Sequence, residues 1–218
     1  MRKFYSVSEK WQTLSAKLSW SHYCEILWFD ENKFIYYAKL SFENNLSIRQ
    51  LRDRIKSNEY ERLSEDTRNK IISIKKANIV DFIKNPIIIK NNNYKMFSEK
   101  ILQKLILEDI GKFLDELGTG FTFIKSEYKI KIGNSYNYID LLLFNIDFNC
   151  YVVIELKVTK LKKEHIGQIE IYMNYIDRNL RKVTQDKTIG IIICKKNDKY
   201  VIEYCSDKRI IPREYELA

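Results

Sequence analysis

The spacing of hydrophobic residues changes near the middle of the chain. From residue 11 to about residue 83, apolar side chains recur every three or four positions, which predicts helices. The clearest two are Asn32–Phe42 and Ser47–Lys56, separated by the polar stretch 43–45. Ser47 is a favourable N-cap residue for the second helix. We therefore expect the N-terminal part of the chain to be a small all-helical, helix-turn-helix-like region.

The second predicted helix has a basic side as well as an apolar one. Its apolar residues, which share one face, are Ile48, Leu51 and Ile55. Its basic residues are Arg49, Arg52, Arg54 and Lys56. These basic side chains would contact phosphates if the helix lay in or beside a nucleic-acid groove. The simpler interpretation, which we favour, is a solvated face on a small helical bundle.

A different pattern follows a break in the helical periodicity. Residues 85–94 include Pro86 and three consecutive asparagines, which disfavour a continuous helix. Helices are then predicted from Ser98 to about Leu117 and from Lys163 to about Leu180. Strand-like composition is found in Phe121–Glu127, Tyr128–Ile132, Tyr138–Phe144, Tyr151–Val158, Thr188–Cys194 and Tyr200–Cys205. The order of these elements predicts an α/β domain with a central mixed sheet flanked by helices.

These patterns divide the chain into three predicted regions. Residues 1–84 are expected to form the helical region, residues 85–97 a linker, and residues 98–218 the α/β domain. A chain of 218 residues can bury a hydrophobic core of ordinary size, so disulfides are not required.

Composition narrows the class of partner. The formal net charge of the 218-residue chain is +9, which favours polyanions and makes nucleic acid the first partner to consider. An AT-rich genome, which inflates lysine, explains the charge equally well. The four cysteines lack zinc or redox spacing, as expected of reduced thiols in a cytosolic protein. No stretch approaches the roughly 20 apolar residues of a transmembrane helix, so we expect a cytoplasmic protein that does not bind membranes.

The most informative segment is a predicted hairpin formed by Tyr138–Phe144 and Tyr151–Lys157. Antiparallel pairing about a turn near residue 148 sets Asp140 opposite roughly residue 156, within about one residue. Glu155 and Lys157 share a face because side chains alternate along a strand. Charged residues in such an apolar hairpin need partners or a metal ion. The sequence alone supports a salt bridge and a metal site about equally.

A metal site here would use oxygen ligands. Asp140 and Glu155, with the carbonyl of Leu156, suit one or two Mg²⁺ ions, and Mn²⁺ is an alternative ion. Such an ion polarises a phosphate and activates a water molecule. Lys157 would orient that water or stabilise developing negative charge. A metal site of this kind would be suited to phosphodiester hydrolysis, whereas a salt bridge would be purely structural.

The same residues carry a resemblance to a known family. Asp140 followed by Glu155-Leu156-Lys157 resembles the PD-(D/E)XK nuclease signature, with Ile139 in place of its proline. The chain resembles the YhcG-like members of that group in Trp20-Ser21-His22-Tyr23, Ser47-Ile48-Arg49-Gln50-Leu51, Gly120-Phe121-Thr122-Phe123, Gly167-Gln168, Gly190-Ile191-Ile192-Ile193-Cys194 and Glu214-Tyr215-Glu216-Leu217. The resemblance covers nearly the whole chain and favours the nuclease site over the salt bridge.

The resemblance implies a restriction-endonuclease-like α/β core and further site residues. An acid on the helix before the sheet often joins the metal site in this fold, and Glu108 is the matching position. The next residue, Asp109, is an alternative for this role. The simpler interpretation of Glu108 is an ordinary solvated helix residue. Gln168 matches a glutamine that supports the site, and Tyr172 lies one turn further on the same face. Relatives usually have a longer N-terminal helical region, so we expect that region to be shortened here.

The resemblance also implies an activity. We expect a Mg²⁺-dependent deoxyribonuclease of the endonuclease or DNA-repair type, which acts as a homodimer if it follows other nucleases of this fold. A basic surface serves DNA and RNA alike, so RNA is an alternative substrate. The alternative from another class is a non-catalytic module that binds nucleic acid or a protein on a nuclease scaffold.

Overall fold

The structure is a computed structural model that describes residues 18–63, 65, 67–68, 83–90 and 98–218. The chain divides into two compact units, Met1–Asp81 and Phe82–Ala218. The helical periodicity predicted over residues 11–17 and 69–82 lies outside the described residues, as does the part of the predicted linker at residues 91–97. Among the described residues, the helices are all too short or too polar to cross a membrane.

The first unit contains three described helices. They are α1 (Trp20–Ile26), α2 (Glu31–Glu43) and α3 (Ile48–Lys56). The Gln50 N–H donates to the Ser47 hydroxyl and the Ser47 N–H donates to the Gln50 side chain, which completes a capping box. Tyr37 and Leu51 lie fully buried in the core between the helices. Both predicted helices are confirmed.

The second unit is built on a mixed six-stranded sheet. Its strands are β1 (Ile87–Ile89), β2 (Phe121–Ile132), β3 (Ser135–Asn145), β4 (Cys150–Lys160), β5 (Ile189–Lys196) and β6 (Ile210–Leu217). The spatial order is β1-β6-β5-β4-β3-β2. Strands β2, β3 and β4 pair antiparallel, whereas β4, β5, β6 and β1 pair parallel. The predicted mixed sheet is confirmed.

Helices flank this sheet. They are α4 (Glu99–Glu108), α5 (Ile110–Leu117), α6 (Lys163–Asn179) and α7 (Lys199–Glu203). Helix α6 packs on the sheet through Ile169 and Met173, both fully buried. Gly190 in β5 permits this close approach, because a Cβ atom there would lie 2.6 Å from Met173 Sδ and 2.9 Å from Ile169 Cδ1. The sheet and α6 thus form one continuous core.

The prediction of a single helix from Ser98 to Leu117 is wrong in one respect, because the structure has two helices in this range. Asp109 adopts φ −136° and ψ 57°, outside the helical region. Its side chain accepts a hydrogen bond from the Lys112 N–H at 3.3 Å and caps α5. The preference of aspartate for an N-cap overrides the apolar periodicity that runs through this position.

The C-terminal strand assignment also needs correction. The predicted strand Tyr200–Cys205 is wrong, because residues 199–203 form α7, whose N-terminus is capped by Asp198. The strand that completes the sheet is β6, in which Pro212 and alternating charges obscure the pattern. Residues 87–89, placed in the linker by the sequence, form β1 and pair with β6.

Candidate active site

Strands β3 and β4 bring the two predicted acids together. The antiparallel pairing ends at Leu141 and Ile154, and extending that register by one residue sets Asp140 opposite Glu155. At this point the Leu156 N–H donates to Asp140 Oδ2 at 2.7 Å. The register therefore agrees with the predicted pairing to within one residue.

Glu155 is buried, and only half of its carboxylate is satisfied. Lys157 Nζ donates to Glu155 Oε1 at 2.8 Å, so the salt bridge considered from the sequence is present. Glu155 is 2% exposed, yet its Oε2 has no hydrogen-bond partner among the described residues. A buried acceptor left in this state costs about 1–3 kcal/mol, and more when it is charged. The salt bridge alone does not account for this carboxylate.

The electrostatics of the site favour binding of a proton or a cation. Burial, followed by the nearby Asp140 charge, raises the pKa of Glu155 to about 7. Burial also raises the pKa of Asp140, although the Leu156 N–H and Lys157 act in the opposite direction. A divalent cation between two such carboxylates would offset both their repulsion and their desolvation.

Helix α4 contributes two residues that the sequence analysis missed. Glu99 Oε2 lies 3.6 Å from Lys157 Nζ. Gln103 Nε2, one helical turn further along, donates to the backbone oxygen of Asp140 at 3.0 Å and is itself buried. A glutamine among the apolar positions of an amphipathic helix was the available signal, because a buried amide needs a partner.

Glu108 lies at the other end of α4. It is nine residues beyond Glu99, which corresponds to about 13 Å along the axis and roughly half a turn around it. Glu108 Oε1 lies 3.9 Å from Lys104 Nζ. Its neighbour Asp109 caps α5. The structure thus places Glu99, and neither of these two acids, beside Lys157.

The two predicted supporting residues on α6 contact each other. Gln168 Nε2 donates to the Tyr172 hydroxyl at 3.1 Å. Burial raises the pKa of Tyr172, the Gln168 hydrogen bond lowers it, and the charges of Glu155 and Asp140 raise it further. The hydroxyl therefore lies within electrostatic range of both acids.

The donor atoms present suit a hard divalent cation. Asp140 and Glu155 each have one oxygen fixed by a protein donor, while the other makes no hydrogen bond to a described residue. The described residues contain no group of three or more His, Cys, Asp or Glu side chains that would hold a metal by themselves. Mg²⁺ requires no such group, because it retains water molecules and binds through one or two carboxylates.

Two solved structures are similar to part of this chain. A repair endonuclease from Pyrococcus abyssi shares 20% identity with a TM-score of 0.39, over 58% of this chain and 50% of that one. The EndoMS–dsDNA2 complex shares 19% identity with a TM-score of 0.37, over 59% of this chain and 48% of that one. Both similarities are partial and distant.

Sequence comparison gives a closer relation. The chain is 28% identical over 195 residues to the Escherichia coli (strain K12) protein named "Putative nuclease YhcG", covering 84% of this chain and 52% of that protein. The chain thus spans about half the length of this curated relative. Residues 1–62 match the DUF1016 N-terminal domain, and residues 73–217 match the YhcG PDDEXK nuclease domain. The second match covers most of the chain, which therefore belongs to the YhcG family of PD-(D/E)XK nucleases.

Proposed function

We propose that this protein hydrolyses phosphodiester bonds in DNA with the help of Mg²⁺. The observation that carries the proposal is the half-satisfied Glu155 carboxylate, buried opposite Asp140 on the neighbouring strand. Membership of a nuclease family supports the same chemistry. A purely structural ion pair would have no need of an unpartnered buried oxygen.

Three groups would hold the ion. They are the carboxylates of Asp140 and Glu155 and the carbonyl of Leu156, and Mn²⁺ would be accepted in place of Mg²⁺. A bound ion supplies Lewis-acid stabilisation of the phosphate and lowers the pKa of a water molecule. Glu99 replaces Glu108 as our candidate for the helix acid because it lies beside Lys157; it would act on that ammonium group and is not one of the three ligands.

Lys157 would act on the charge that develops during cleavage. Burial lowers its pKa, but the carboxylates of Glu155 and Glu99 raise it by more, so the net shift is upward. The side chain therefore remains an ammonium ion at neutral pH. An ammonium fixed beside the reacting phosphate stabilises negative charge in the transition state more than in the ground state.

Gln168 and Tyr172 would serve as positioning residues. Tyr172 lies on the face of α6 that packs against β4 and β5, and the hydrogen bond from Gln168 connects the two side chains there. A hydroxyl fixed in this way can hydrogen-bond a water molecule or a carboxylate of the site. Removing such an outer partner typically costs about 10- to 100-fold in metal affinity or activity.

DNA is the substrate we favour, and the +9 net charge supports a polyanionic partner. The same charge serves RNA, so matched DNA and RNA substrates belong in one assay. A homodimer would allow both strands of a duplex to be cut, and sedimentation measurements would test that arrangement.

The decisive experiment is cleavage of supercoiled DNA with Mg²⁺, with Mn²⁺ and with a chelator. We expect metal-dependent nicking by the wild type and a loss of at least about 100-fold in Glu155→Gln, because the variant removes a metal ligand. The matched control is Glu170→Gln, an exposed position on α6 that should cut at the wild-type rate. Equal rates for wild type and Glu155→Gln would refute the proposal and leave the non-catalytic binding module.

A further inference from the structure

Strands β2 and β3 extend beyond the rest of the sheet. Pairing of β3 with β4 ends at Leu141, whereas pairing of β3 with β2 continues to Ser135. Residues 128–139 therefore form a two-stranded extension, called here the β2–β3 arm. It begins one residue before Asp140, so it lies directly beside the candidate active site.

One face of the β2–β3 arm is fixed to the protein core. Ile130 and Ile139 on this face are 1% and 0% exposed and belong to the cluster that includes Ile169 and Met173 of α6. This anchoring holds the arm in place without help from its other face. The other face is thus free to serve a purpose besides folding.

The opposite face presents two lysines and two tyrosines to solvent. Cross-strand pairing sets Lys129 against Tyr138 and Lys131 against Tyr136. Tyr136 is 56% exposed and Tyr138 is 51% exposed. Lys129 Nζ lies 3.8 Å from the centroid of the Tyr136 ring, and Lys131 Nζ lies 6.0 Å from it. The arm itself contains no acidic residue; the nearest one before it is Glu127.

Protection of the sheet edge explains only part of this pattern. β2 is the last strand of the sheet, and lysines on an edge strand prevent pairing with other chains. Edge protection does not call for two half-exposed tyrosines, which lie on β3. Exposed aromatic rings interleaved with cations are the combination that binds nucleic acid by stacking and by phosphate contacts.

We propose that the face formed by Lys129, Lys131, Tyr136 and Tyr138 binds the polynucleotide beside the scissile phosphate. The lysines contact backbone phosphates, and the tyrosine rings stack on unpaired bases. Tyr138 lies about 7 Å and Tyr136 about 14 Å along the strand from Asp140, which matches a few nucleotides of substrate. The substrate class is therefore DNA with unpaired bases next to the cleaved bond. This inference rests on the proposed function.

The test measures binding separately from cleavage. Fluorescence anisotropy in a chelating buffer compares binding of the 218-residue chain to blunt duplex, flapped duplex and single-stranded DNA over a range of salt concentrations. Lys129→Ala/Lys131→Ala should reduce the slope of log K against log salt by about 1.4–1.8. The matched control is Lys182→Ala/Lys187→Ala, two exposed lysines beyond the far end of α6, which should leave the slope unchanged.

The tyrosines make a more specific prediction. Tyr136→Ala/Tyr138→Ala should weaken binding to flapped and single-stranded DNA by about tenfold or more, but binding to blunt duplex by less than about threefold. Tyr136→Phe/Tyr138→Phe keeps the rings and should bind as the wild type does. Circular dichroism of each variant identifies any loss of folding, and where the double Ala variant unfolds, the single variants Tyr136→Ala and Tyr138→Ala test stacking in its place.

Several results would overturn the inference. The inference fails if the arm variants bind DNA as tightly as the control variant does. It also fails if the tyrosine variant loses the same affinity for blunt duplex as for flapped DNA. A change in self-association without a change in DNA affinity would identify a protein interface instead. If the wild type cuts DNA while the arm variants bind normally, the inference fails and the nuclease assignment stands. If binding depends on the arm and no metal supports cleavage, the arm is a nucleic-acid-binding face, but the proposed function fails and with it the placement of the arm beside a scissile phosphate.

Discussion

Glu155 should make the stability of the metal-free protein depend on pH in an unusual direction. In the folded protein its pKa rises from the ordinary value of 4.5 to about 7, because the side chain is buried and Asp140 lies nearby. The folded state therefore holds one more proton than the unfolded chain between these two values. By linkage, the free energy of unfolding falls as pH rises through this interval.

The size of the effect follows from the shift. The difference between about 7 and 4.5 is about 2.5 pKa units, and each unit corresponds to about 1.4 kcal/mol, so the contribution is on the order of 3 kcal/mol. Glu155 is 2% exposed, so solvent screening reduces this figure little. The stabilisation is complete below pH 4.5 and is lost above pH 7. Glu155→Gln has no titrating group and should lack this part of the pH dependence.

Urea unfolding of both proteins at several pH values between 4.5 and 8, in a chelating buffer, measures the difference. The wild type should lose stability relative to Glu155→Gln by about 3 kcal/mol across that range. Addition of Mg²⁺ at pH 8 should then raise the free energy of unfolding of the wild type and leave that of the variant unchanged. The reason is that a ligand that binds only the folded state stabilises that state. Parallel pH curves for the two proteins would refute the account of a buried, unsatisfied carboxylate.

Four other substitutions test the surroundings of the site and the packing of α6. Glu99→Gln should reduce cleavage by about 10- to 100-fold while Glu108→Gln cuts normally; a larger loss in Glu108→Gln would restore the sequence-based choice. Gln103→Leu removes the donor to the Asp140 carbonyl and should lower the free energy of unfolding by about 1–3 kcal/mol, as measured in urea. Gly190→Ala should lower the same free energy by about 1–3 kcal/mol, because its Cβ meets Met173 and Ile169; an unchanged value would contradict the packing described for α6.

The hairpin that carries Asp140 and Glu155 was predictable because its determinants are local. Strand periodicity sets which side chains share a face, and the length of the turn sets the register. The observed pairing of Leu141 with Ile154 agrees with that arithmetic to within one residue. Residues whose roles depend only on neighbours along a hairpin can thus be identified from the sequence.

Strand β6 was missed for the opposite reason. One neighbour, β1, lies far earlier in the sequence, before α4, and the other, β5, is separated from β6 by α7. Ile210 is buried in the cluster that includes Ile169 and Met173 of α6, which are also not its neighbours in the sequence. Pro212 lies inside the strand and lacks the N–H that a central strand normally donates, so local rules argue against a strand there. Tertiary pairing overrides the local signal.

The choice of the acidic residue on α4 could not be made from local sequence patterns. Glu99 and Glu108 are both glutamates on α4, and the choice between them depends on which face and which end of the helix approaches Lys157. That approach is set by packing between α4 and β4, which no window of the sequence contains. The buried Gln103 was the local clue, since it lies one turn from Glu99 and its amide needs a partner such as the Asp140 carbonyl.

The half-satisfied carboxylates also separate the two interpretations that the sequence left equal. A buried salt bridge that serves only stability should use all of its hydrogen-bonding capacity, because the desolvation of both charges must be offset. Here Lys157 satisfies one oxygen of Glu155 and leaves the other without a partner among the described residues. The Leu156 N–H likewise fixes a single oxygen of Asp140. Each carboxylate therefore has one oxygen that no described donor occupies. This arrangement suits a bound cation better than a purely structural ion pair, so the geometry favours the metal site.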